Sequence, residues 1–362
     1  MRFAPLVLVA ILLVQPAGAL SSPVIISYGR SWPQSIVVDP KAGLVYVDAT
    51  SGIYPPTGFS FGVINATSHS VIKTLPLDVT PGALAFDEAR DYVYVAGSDT
   101  IEVFYSGTGT FIGNISIGRP VLDMASNPLG NLYATSGGNV YEIAPPSPTA
   151  KYSILANASV GAGAGGLAVD PSNHRLYVAD YLSDTISVFN YSGLEQIGTI
   201  TMPSCCPSQL ALNPDTQMLY VVTGTNNVDL VNAGTDSFVR SVQVAQSVTN
   251  STSDVAIDPG TGAVFISFSS GDSIAELSQD GGVIGFLRVT SNPAGMAVDS
   301  TTGELYVTNY HQVTVLDARG NVPSPSYTVA AFAALGAVVA VAALLVVLRS
   351  SAWRNRRNLM AG

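Results

Sequence analysis

Along most of the chain short apolar runs alternate with polar turn residues, and the alternation returns with a fixed period. Its cleanest copy is GLAVDPSNHRLYVADYLSDTISVFN, residues 166–190. An apolar run ends at Asp170-Pro171, a second centres on Leu176-Tyr177-Val178, and Ile186-Ser187-Val188-Phe189 alternates. Runs of four to eight residues bounded by turn formers predict strands rather than helices. The unit reads strand, tight turn, strand, loop, strand, with a fourth strand at Gln196–Ile200.

Seven copies lie in phase. The residue before the first turn is Asp39, Asp87, Asn127, Asp170, Asn213, Asp258 and Asp299. The aromatic of the second strand is Tyr46, Tyr94, Tyr133, Tyr177, Tyr220, Phe265 and Tyr306. Six periods of about 43 residues separate Tyr46 from Tyr306, the length of a four-stranded propeller blade. An Asp or Asn before a tight turn accepts hydrogen bonds from the turn's own amides, and the frequent following Pro presets φ. These seven positions therefore read as turn formers, not as a catalytic or metal-binding set.

The seventh copy stops short of a fourth strand, near Asp317. Residues Val24–Tyr28, at the other end, have the pattern of one. They should complete blade seven and close the ring, removing the free edges of an open sheet. The expected fold is all-β: a seven-bladed β-propeller with four-stranded blades over residues 20–320, its N-terminal strand closing the last blade.

The two ends of the chain differ from this pattern. Residues 1–19 carry Arg2, the apolar run Leu6–Val14 and Pro16-Ala-Gly-Ala19, the form of a secretory signal peptide cleaved after Ala19. Tyr327–Leu348 is uncharged and long enough to cross a bilayer as one helix. Arg349, Arg354, Arg356 and Arg357 follow, which places residues 349–362 on the cytoplasmic side. Residues 321–326, rich in Pro and Ser, would be a short stalk. The expected topology is single-pass type I, with the propeller outside the cell.

Removing both ends leaves ten basic residues against twenty-five acidic ones, a net charge of about −15. Such a domain repels nucleic acid and anionic lipid, so neither is expected as its partner.

The literal Tyr306-Val-Thr-Asn309 in GELYVTNYHQVTVLD, with AVDP…RLYVAD in blade four, is similar to the YVTN-type β-propeller family of microbial surface and surface-layer-like proteins. The resemblance spans residues 23–318. It implies the propeller fold and an extracytoplasmic setting, and it carries no shared catalytic motif.

In a propeller the b–c loops and the links between blades share one rim. Trp32, Tyr54, Asp48, Asp180, Tyr181, Tyr310 and His311 are assigned to that face, where aromatics can stack on sugars or pack on a protein. For each aromatic the simpler role is to cover the core between blades. Cys205 and Cys206, the chain's two cysteines, sit in a blade link there, either as a vicinal disulfide, as two thiols or as an intermolecular bridge. His69 and His174 belong to the opposite face, so the three histidines do not form a metal site, and no cofactor motif is present. Five Asn-X-Ser/Thr sequons, Asn65, Asn114, Asn157, Asn190 and Asn250, fall on turns, outer strands or links and are candidates for N-glycosylation.

The expected function is a non-catalytic binding, adhesion or scaffold module for a cell-envelope polymer or surface protein. The alternative is an extracytoplasmic enzyme of lyase or lactonase type with a metal-dependent site on the loop face. His311 paired with Asp180 or Asp48 is its candidate acid–base couple.

Overall fold

The computed structural model describes residues 23–28, 31–51, 58–244, 252–268, 270–290 and 292–319. The signal, stalk, membrane-span and tail segments expected from the sequence lie outside these, as do Tyr54 and Asn250. Among the described residues no helix is long and apolar enough to cross a membrane.

The described strands form seven antiparallel four-stranded sheets, one per repeat. Within each, strands a to d follow chain order, as in blade four: Ala164–Asp170, Arg175–Asp180, Thr185–Asn190 and Glu195–Thr201. Blade seven departs from this order. Its outer strand is Val24–Ser27, paired antiparallel with Gln312–Asp317, so the N-terminal strand closes the ring as the sequence pattern predicts. The c–d pairs of the other six blades each carry a register shift at one equivalent point, a bulge that bends the outer strand.

Strands b and c are buried almost throughout, whereas the outer strands are largely exposed. Apolar side chains fill the space between neighbouring sheets, so each core cluster joins two blades; one combines Tyr94 and Ile101 of blade two with Met124 and Leu132 of blade three. The repeated tyrosines are among the largest fully buried side chains.

Each turn residue does what its position implies. Asp39 Oδ1 accepts from the amides of Lys41 and Ala42, Asp170 Oδ1 from Ser172 and Asn173, and Asp299 Oδ1 from Thr301 and Thr302. Asp87, Asn127, Asn213 and Asp258 repeat the bond. All seven are buried.

Five of the six repeat tyrosines add a second tie through the hydroxyl, from one blade to the c–d turn of the next; Tyr94 instead donates to Asp87 Oδ2 of its own blade at 3.1 Å. Tyr133 donates to Tyr191 O at 2.9 Å, Tyr177 to Ala233 O at 2.8 Å and Tyr220 to Gln279 O at 2.6 Å. The Tyr46 hydroxyl bonds to the Ser106 hydroxyl at 2.7 Å and accepts from Gly107 N at 2.9 Å, and across the closure Tyr306 donates to Ala66 O at 3.4 Å. Each such bond contributes about 1 kcal/mol net. Blade six has Phe265 at this position and lacks the hydroxyl. There Arg319, just beyond the third strand of blade seven, reaches back to the buried Asp258 carboxylate at 3.1 Å. The ion pair spans the seam that the missing hydroxyl leaves untied.

Candidate functional site

The loop face carries three groups of residues: an aromatic cluster where the ring closes, a tyrosine and cysteine group at the seam of blades four and five, and a polar cavity in the middle.

Strand a of blade one starts early, at Ser31, which brings Trp32 beside the b–c turn of blade seven. The Trp32 ring lies 5.3 Å from Tyr310 and 6.0 Å from His311, and those two rings are 4.1 Å apart. Tyr310 is 51% exposed. His311 takes a left-handed conformation, with φ of 65°, and its Nδ1–H donates to the carbonyl of Ser31 at 3.0 Å. Trp32 Nε1 is buried and makes no hydrogen bond. The sequence places these three residues on one face, and the fold packs them against one another.

Asp180 and Asp48 depart from expectation. Neither is a loop residue: Asp180 ends strand b of blade four, Asp48 lies within strand b of blade one, and both are fully buried. Asp180 Oδ2 accepts from the hydroxyls of Thr185 and Ser187 at 2.9 and 2.8 Å. Asp48 Oδ1 accepts from the amides of Gln34 and Ser35 at 3.1 and 2.7 Å. The reason is hairpin length. In blade one the b and c strands pair as far as Ser51 with Gly58, so Asp48, assigned from the sequence to the loop rim, is inside the sheet. Both aspartates brace the fold, and neither pairs with His311 as an acid–base couple.

Tyr181 follows Asp180 and is 41% exposed, with Leu182 beside it at 71%. Cys205 and Cys206 lie against them in the link to blade five. They are free thiols, so the disulfide considered from the sequence is not formed here. The Tyr181 hydroxyl reaches the Cys206 thiol, which pushes the phenol's pKa up.

The central cavity, of about 370 Å³, is lined by strand a of every blade. The position four residues before each turn Asp or Asn reads Ser35, Ala83, Asp123, Gly166, Gln209, Asp254 and Gly295 around the ring. Asp123 Oδ2 accepts from Leu167 N of the next blade at 2.9 Å, and Asp254 Oδ2 from Met296 N at 2.8 Å. Each carboxylate also binds the amide of its following residue through Oδ1. Hemmed in by protein, Asp123 is raised to about 6 and Asp254 to about 7; desolvation is the main cause, and the Asp123 charge adds to the shift of Asp254. Gly166 needs to be glycine: a Cβ would sit 2.6 Å from Ser208 O, the atom its own amide binds. The sequence pattern hides Asp123 and Asp254 because each interrupts an apolar strand; aligning strand a by its turn residue is the signal that finds them.

The four sequons among the described residues lie away from this face. Asn114 and Asn157 are exposed on the outer strands of blades two and three. Asn65 and Asn190 are half-buried at c–d turns, where their Oδ1 atoms accept turn amides.

No protein-family model matches the chain, and no curated protein matches it by sequence. Many solved structures do match in fold. One is the crystal structure of the β-propeller domain of Cps50 (Swd1) from Myceliophteria thermophila, with a TM-score of 0.66 at 11% identity, covering 82% of this chain and 98% of that one. A likeness at that identity establishes the fold alone. The chain is a seven-bladed β-propeller with four-stranded blades.

Proposed function

We propose that the protein is a non-catalytic binding module of the cell surface, holding a cell-envelope polymer or a neighbouring surface protein on its loop face. β-Propellers commonly serve as interaction scaffolds, because a closed ring of sheets keeps the frame fixed while the loops vary. The observation that carries the reading is the Trp32–Tyr310–His311 cluster, an aromatic surface held by a backbone hydrogen bond and left open at Tyr310. Aromatic side chains anchored in this way give large contact area at low entropic cost. The surface setting rests on the N-terminal signal pattern, the apolar segment 327–348 with its following arginines, and the resemblance to YVTN-type propellers.

The enzyme reading retains one supporting observation, the approach of Asp123 and Asp254 to a central cavity. Both carboxylates of that pair are already engaged by backbone amides from two blades, which favours a role as ties between blades.

The test is retention of the purified protein on native envelope fractions. Saturable retention is expected, reduced at least tenfold by Trp32→Ala combined with Tyr310→Ala, since loss of two anchor aromatics costs about 2 kcal/mol or more. Equal retention of a correctly folded variant would remove the site from this cluster, and absence of retention would remove the binding reading.

A further inference from the structure

The peptide group between Cys205 and Cys206 ties together the two loops that shape this side of the rim. Its N–H, on Cys206, donates to Asp184 Oδ1 of the blade-four b–c loop at 2.8 Å. Its carbonyl, on Cys205, accepts from Gly224 N of the blade-five b–c loop at 3.3 Å, and the Cys206 carbonyl accepts from the same amide at 3.0 Å. Cys206 is held with φ of 66°, a conformation L residues adopt at a cost. The link packs closely on blade five, and glycine at 224 permits it: a Cβ there would meet the Cys206 Cβ at 2.9 Å. Cys205 is exposed and Cys206 half-buried, and the Cys205 thiol is hydrogen-bonded to its neighbour.

We propose that Cys205 and Cys206 are a thiol–disulfide exchange site, at which a small-molecule disulfide closes the pair and thereby resets the Tyr181–Asp184 and Thr223–Asn226 loops. The exposed Cys205 thiolate attacks one sulfur of the reagent, forming a mixed disulfide and releasing one thiolate. The Cys206 thiolate then attacks Cys205 Sγ, forming the Sγ–Sγ bond and expelling the second. The two thiol protons end on the two released thiolates, so the cysteine pair is oxidised by two electrons and the reagent reduced by two.

Closure acts on the tie directly. Adjacent Cα atoms across a trans peptide stand about 3.8 Å apart, below the roughly 4.4–6.8 Å usual for a disulfide. The small ring therefore has to re-orient the one peptide group whose N–H and carbonyl hold Asp184 and Gly224. It also consumes the Cys206 thiol that the Tyr181 hydroxyl reaches. Exchange is slow at neutral pH: the hydrogen bond to Cys206, burial and the Cys206 and Asp184 charges push the Cys205 thiol up. The chemistry is independent of the binding reading; its effect on a partner at Tyr181 and Leu182 rests on that reading.

The test treats the native full-length chain with 4,4′-dithiodipyridine and follows released thiopyridone and intact mass. Two equivalents per chain are expected, with a product lighter by two hydrogens and no retained pyridyl group. Cys206→Ser should release one equivalent and keep the adduct. Hydrogen exchange over residues 181–184 and 223–226 should quicken in the oxidised chain and not in Cys205→Ser/Cys206→Ser treated alike. Pyridyl adducts on both cysteines of the wild type, disulfide-linked dimers or no reaction would overturn the site. A closed disulfide with unchanged exchange at both loops would overturn its coupling to the rim. None of these readouts uses a binding partner, so failure of the binding reading leaves them interpretable.

Discussion

Removing residues 20–28 destabilises the propeller by about 4–8 kcal/mol, the cost of losing two well-packed side chains. The strand Val24–Ser27 supplies Ile26, buried in the core cluster shared by blades seven and one with Tyr28 packed against it. Tyr28 lies over Gly62 of blade one, where a Cβ would collide with its hydroxyl. The deletion also uncovers the edge of Gln312–Asp317, leaving a row of unpaired backbone groups on blade seven. Against a total stability of roughly 5–15 kcal/mol, such a loss leaves the chain largely unfolded or associating through the open edge. Thermal unfolding and size-exclusion chromatography check this. A truncated chain that stays monomeric and melts within a few degrees of the intact protein would show that the closing strand contributes little.

The second large effect is on pH. Asp48 and Asp123 are raised to about 6, and Asp254 and Glu276 to about 7, in each case mainly because burial penalises the charged carboxylate. A carboxyl whose folded pKa lies above its unfolded value holds its proton more tightly in the native state. Its stabilisation is complete below the unfolded pKa and is lost as pH rises through the folded one. Asp258 runs the other way. Although burial opposes it, hydrogen bonds from Arg319 and Thr261 and the Arg319 charge lower its pKa, so its contribution is lost only in stronger acid. The protein should therefore melt at a higher temperature at pH 5 than at pH 8. A difference of roughly 5 °C or more is expected, since a tenfold difference in proton affinity between the folded and unfolded chain is worth about 1.4 kcal/mol. Asp254→Asn should flatten the dependence by removing one of the two largest steps. A melting temperature that rises from pH 5 to pH 8 would contradict this account of the cavity.

The architecture is readable because the same residue types solve the same local problem seven times. A turn that needs an acceptor takes Asp or Asn, and an inter-blade space that needs a long amphipathic filler takes Tyr. The gap after Asp317 and the spare strand at Val24 are one observation seen from two ends. Residues outside the repeat are harder to place. Asp48 and Asp180 resemble loop residues because acids seldom occupy strands; hydroxyls and amides inside the sheets make their burial tolerable. Arg319 carries no signal at all, since its task is set by Phe265 in a different repeat. Trp32, Tyr310 and His311 fall together in both sequence and structure because ring closure fixes which ends of the chain are neighbours.

The central claim is that a partner sits on the loop face. The most direct measurement places a photo-crosslinking amino acid at position 310 in one variant and at position 129 in another, then irradiates each with native envelope. Tyr310 belongs to the aromatic cluster, whereas Leu129, 72% exposed, stands on an a–b turn of the opposite face. The account predicts a discrete adduct from position 310 and none from position 129. An adduct from position 129 alone would put the binding surface on the other side of the ring and contradict it.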